Sequence, residues 1–123
     1  MDFRTLSEPQ QVAVTDLLVL AMYADGHLAS AEEARIREFL GQAGVAAGYE
    51  RDQKLDAAVT RVRQHAATPE TARAYAARLA QAFHARNERR QVLELVDALL
   101  AADGNITLAE GSFSTAVREA LNL

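Results

Sequence analysis

Residues 17–40 read LLVLAMYADGHLASAEEARIREFL, and residues 95–121 read LVDALLAADGNITLAEGSFSTAVREAL. In both, an apolar stretch runs into Ala-Asp-Gly and is followed by a polar segment with helical spacing. Laying Ala24-Asp25-Gly26-His27-Leu28 over Ala102-Asp103-Gly104-Asn105-Ile106 brings Glu32 onto Glu110 without a gap. Glycine is the residue that most easily takes the left-handed conformation closing a helix, so each Asp-Gly is expected to end one helix just before the next begins. One helix, turn, helix unit occurs twice, over about 7–43 and 87–123. Two such units are expected to pack about a pseudo-two-fold axis, because neither can bury its apolar face alone.

Outside these turns, helix signals recur through the chain. Ser7 caps a first helix with Glu8 and Pro9 in its opening turn, carrying Val12, Leu17, Leu20, Ala21 and Ala24 inward. Ser30 opens the second, with Glu33 completing a capping box and Ile36, Phe39, Leu40 and Ala43 forming its apolar stripe. Gly41, Gly44 and Gly48 then end that helix and lead into a linker. A phosphate-cradling glycine loop would need a strand before it, and a helix precedes it here. Central helices fill about 50–86. One runs from Glu50 to Ala66, and the next is capped by Thr68 ahead of Pro69, with Ala72, Tyr75, Ala76, Leu79 and Phe83 as core. A fifth helix begins near Asn87, and Thr107 with Glu110 opens a sixth. Alternating β-branched or aromatic patterning is missing throughout. The expected fold is all-α, a bundle of about six helices forming one domain over 1–123.

Composition narrows the function. There is no cysteine, which removes disulfides, thiolate metal sites and cysteine nucleophiles. The uninterrupted apolar run Leu17–Ala24 is too short to cross a bilayer, and the N-terminus shows no export pattern, so a cytoplasmic protein is expected. Net charge is −4, but residues 51–90 hold nine Lys or Arg against four Asp or Glu. Basic residues such as Arg86, Arg89 and Arg90 would suit an acidic protein or membrane surface. No aromatic-interleaved basic motif accompanies them, so nucleic acid is not an expected partner. Ser112 and Ser114 on an amphipathic helix offer no nucleophile with a base and an orienting acid, and no enzyme is expected.

The pattern Asp-Gly-x-(Leu/Ile)-x-x-x-Glu matches the second half of an EF-hand loop. The first half fails, because Ala21 and Tyr23 in one copy, and Leu99 and Ala101 in the other, stand where oxygen ligands are required. The twice-placed Ala-Asp-Gly with its following apolar residue and Glu instead resembles the TerB-like family of tellurite-resistance and related stress proteins. That resemblance implies a helical bundle with a pseudo-two-fold repeat, no catalysis, and clustered acidic residues holding a metal. By motif those residues are Asp25, Glu32, Asp103 and Glu110, with His27 and Glu33 as additional candidates. The implied cofactor is a divalent ion, calcium or magnesium, and the implied partners are other stress-response proteins or a membrane-associated complex. His27 is matched by Asn105 and Glu33 by Gly111, so the two copies are unequal.

Two explanations fit the turns. Asp25 and Asp103 stand at helix carboxyl ends, where the macrodipole disfavours negative charge by about 0.3–1 kcal/mol. A hard cation would offset that cost; alternatively, Asp-Gly is simply good turn chemistry. Glu33 and Glu110 are accounted for by their capping boxes, whereas Glu32 has no capping role. Asp16 and Glu94, nine residues before each turn, are half a revolution away on an amphipathic helix and are expected to be solvated. His65 and His84 read as structural.

Overall fold

The computed structural model describes residues 3–23, 30–101 and 108–123, the side chains of 30–32 and 108–110 excepted. After a short 3-10 turn, Phe3–Thr5, come six α-helices: α1 (Glu8–Tyr23), α2 (Ser30–Gln42), α3 (Tyr49–Arg63), α4 (Pro69–Ala80), α5 (Arg86–Leu100) and α6 (Leu108–Ala120). No strand occurs among the described residues.

The starts of these helices follow local chemistry. Ser7 accepts the Gln10 N–H on its hydroxyl, while the Gln10 side chain accepts the Ser7 N–H, a reciprocal box that opens α1. Thr68 and Thr71 do the same for α4, with Pro69 at the first helical position. At α5, Glu88 reaches back to the Ala85 N–H, 3.3 Å away.

Helix α1 is the axis of the molecule. Every residue from Ala13 to Met22 is buried, and α2, α3, α4 and α5 all pack against it. A helix that is apolar on all sides is one enclosed on all sides. Around it, Ile36, Phe39 and Leu40 of α2, Leu55, Ala58 and Val62 of α3, Tyr75 and Ala76 of α4, Val92, Val96 and Leu99 of α5, and Phe113 and Val117 of α6 complete one continuous core.

The helix bounds repeat along the chain. Glu8 and Arg86 open α1 and α5, and Ser30 and Leu108 open α2 and α6; each pair is 78 positions apart. Both units also end the same way. After α2, Val45 N–H bonds to Leu40 carbonyl at 2.9 Å and Gly44 N–H to Gly41 carbonyl at 3.1 Å, with Gly44 at φ 94°. After α6, Leu123 N–H bonds to Arg118 carbonyl at 3.1 Å and Asn122 N–H to Glu119 carbonyl at 3.0 Å, with Asn122 at φ 55°. Each is a Schellman motif closed by a left-handed residue, glycine in one unit and asparagine in the other. Gly44 thus ends a helix as its sequence context predicts, whereas Gly41 lies within the last turn of α2 and Gly48 stands at the N-cap of α3.

Candidate functional site

Asp25, His27 and Asp103 lie outside the described residues, as do the side chains of Glu32 and Glu110. What surrounds them is defined. The last turn of α1, through Leu20 and Tyr23, and the first half of α6, through Ser112 and Phe113, line one cavity of about 280 Å³ together with Ala66–Pro69, Ala72 and Arg73. Tyr23 stands two residues before Asp25, and Ser112 two residues after Glu110. The helix entering the first turn and the helix leaving the second therefore border the same cavity. Among the described residues, no three His, Asp or Glu side chains gather into a metal-sized cluster.

Glu33 is described, and its carboxylate is already engaged. It accepts from Arg37 Nε at 3.3 Å and Nη2 at 3.2 Å, and the same guanidinium reaches Asp52 on α3 through Nη1. Hydrogen bonding to Asp52, more than to Glu33, raises the pKa of Arg37 above its ordinary value. Glu33 thus ties α2 to α3 through a shared arginine.

Among the described residues, the most enclosed ionic group is one expected from the sequence to be solvated. Asp16 is completely buried. Arg61 on α3 grips it with two parallel bonds, Nε to Oδ2 at 3.0 Å and Nη2 to Oδ1 at 2.8 Å, and the Tyr75 hydroxyl on α4 donates to Oδ2 at 2.5 Å. His65 stacks on the Tyr75 ring at 4.1 Å, and the Arg78 guanidinium lies 5.8 Å from its centre. Burial, reinforced by the bond to Asp16, pushes the Tyr75 pKa up to about 12. The bonds to Asp16 likewise hold Arg61 protonated. Solvation of Asp16 was expected from a helix with one buried face; α1 has no exposed face at this level, so its polar side chain needed partners inside. The signal was the unbroken run from Leu17, which marks an enclosed helix. Glu94, the matching position on α5, is exposed as expected.

The candidate docking arginines divide. Arg86 and Arg90 are exposed, whereas Arg89 is half-buried and donates Nη1 to the Leu121 carbonyl at 3.0 Å, fastening α6 to α5. No described helix is long and apolar enough to cross a membrane.

A known family matches the sequence from within α1 to Leu123. The family described as tellurite resistance protein TerB matches residues 11–123, which include both Asp-Gly segments. The chain belongs to the TerB family. No curated protein and no solved structure matches it. In this TerB chain the shared span includes α2 to α6 whole, together with Asp16 and both ends of the cavity lined by Tyr23 and Ser112.

Proposed function

We propose that this TerB chain is a non-catalytic, tellurite-resistance-type stress-response module that holds a divalent cation, calcium or magnesium, through Asp25, Glu32, Asp103 and Glu110, with its two units related by a pseudo-two-fold axis. The observation that carries this reading is the shared border just described: Tyr23, which leads into the first acidic turn, and Ser112, which follows the second, line one cavity. The helices that flank the two acidic turns thus share one border, which supports a site common to both units. Hard cations take oxygen ligands from several carboxylates, and such an ion would offset the cost of negative charge two residues past Tyr23 and three past Leu100, the last residues of α1 and α5. Glu33 is held by Arg37, so Glu32 is the carboxylate of that pair assigned to the ion. His27 supplies one further ligand in the first unit only.

The test is titration of the isotope-labelled protein with calcium chloride and with magnesium chloride, followed by amide shifts. The reading expects saturable changes in both 24–33 and 102–111 with one midpoint. Changes in one turn alone, or none, overturn the shared site.

A further inference from the structure

The two units of equal register differ in what lies against them. In the first, α3 packs against both α1 and α2. It is held there by charge as well as by Leu55, Ala58 and Val62: Lys54 pairs with Glu8 at 3.7 Å, and Arg61 with Asp16. The places 78 residues further on from Glu8, Asp16 and Leu40 are Arg86, Glu94 and Arg118. These line an open groove of about 310 Å³ between α5 and α6, with Arg90, Asp97, Leu93 and Leu123.

Where the first unit buries Asp16 and Leu40 beneath a helix, the second leaves Glu94 and Arg118 exposed. None of Arg86, Arg90 and Arg118 makes an ion pair among the described residues. Arg86 and Arg90, one turn apart on the same face, repel each other, and Arg86 also sits at the positive end of the α5 dipole. The walls of the groove are fixed: the Schellman motif brings Leu123 back to Arg118, and Ser114 holds Asp97 through a 2.6 Å bond.

We infer that the α5–α6 groove receives an amphipathic helix of a partner protein, seated as α3 is seated on α1 and α2. Its charge pattern follows from the template. Where α3 presents Lys54 to Glu8, the incoming helix presents a carboxylate to Arg86, with Arg90 and Arg118 within the same groove. Two turns on, where α3 presents Arg61 to Asp16, it presents a basic residue to Glu94. Apolar residues lie between them, as Leu55 and Ala58 do in α3. Helix-in-groove recognition works through such apolar anchors, while charge sets register and direction. The α3 helix of a second copy is a poor occupant, because its Lys54 would face Arg86. An anionic membrane is also disfavoured, because Glu94 and Asp97 share the groove.

A synthetic peptide of residues 49–66 carrying Lys54→Glu is the probe, with the unaltered 49–66 peptide as control, each titrated into the labelled full chain. The altered peptide should bind about fivefold more tightly, as expected for exchange of one exposed pair, and should shift amides of 86–97 and 118–123. In the Arg86→Glu protein, whose melting temperature reports that it is folded, the preference should reverse. Equal binding of both peptides, no binding of either, or shifts centred on Asp16 and Leu40 overturns the inference. So does tighter binding to phosphatidylserine vesicles than to the altered peptide, or self-association that Arg86→Glu abolishes.

Discussion

Arg61 and Asp16, 45 positions apart in sequence, form a two-bond clasp in which the carboxylate is wholly buried while the arginine side chain keeps 40 % of its surface exposed. The clasp joins α3 to the enclosed helix α1, and Tyr75 extends it to α4.

Its two halves should not be equivalent. Removing the arginine leaves a buried carboxylate with one hydroxyl as its partner, whereas removing the aspartate leaves an arginine that can turn to water. Arg61→Ala is therefore expected to cost about 3–5 kcal/mol, in the range for stranding a buried charge. Asp16→Ala should cost about 2 kcal/mol, nearer the value of a hydrogen bond to a charged group. Urea denaturation of the two variants checks the order; an equal or reversed cost would show that the partly exposed arginine carries the desolvation penalty.

Tyr75 gives the molecule a pH dependence in alkali. Its ordinary pKa of 10.0 is pushed up to about 12 in the fold, so the folded state binds the phenolic proton more tightly than the unfolded chain. The stability this contributes is complete below pH 10 and is lost as the pH rises toward 12. Denaturation midpoints between pH 9 and 12 should fall more steeply for the wild type than for Tyr75→Phe, and parallel slopes would count against burial and the Asp16 bond holding the phenolic proton in the fold.

At the start of α4, Thr68→Ala removes the acceptor for the Thr71 N–H. A loss of about 1 kcal/mol is expected from cap substitutions of this kind, seen as a melting temperature several degrees lower. A change within error would mean that Pro69 alone sets the start of the helix.

The helical class was legible because caps and 3.6-residue spacing are local properties: Thr68 before Pro69, and Ser7 before α1, act within one turn of chain. The central helices follow the same signals, although α3 stops at Arg63 where the apolar pattern continues to Ala66. Gly44 was legible for the same reason, since a left-handed closing residue leaves its mark on the sequence itself. Asp16 was not, because its environment depends on Arg61 and Tyr75, which come from helices 45 and 59 positions away. A carboxylate nine residues before a turn looks solvated when its helix is assumed to have a wet face. Arg89 was likewise read by its charge, while its role is set by the Leu121 carbonyl across the α5–α6 hairpin. Of the acidic set, Asp25 and Asp103 rest on motif and register, and Glu33 is explained by Arg37.

The central claim is that the two acidic turns serve one cation, and the most direct measurement is the melting temperature with and without 1 mM calcium or magnesium, for wild type and for the Asp25→Asn, Asp103→Asn double variant. For a dissociation constant of about 100 μM, linkage raises wild-type stability by roughly 1.4 kcal/mol, a few degrees for a domain of this size. The variant should show no response. Without added ion it should be as stable as wild type or slightly more so, because asparagine favours turns as aspartate does and removes negative charge two and three residues past the last residues of α1 and α5. A wild type indifferent to both ions, or a variant clearly less stable in their absence, would contradict the account.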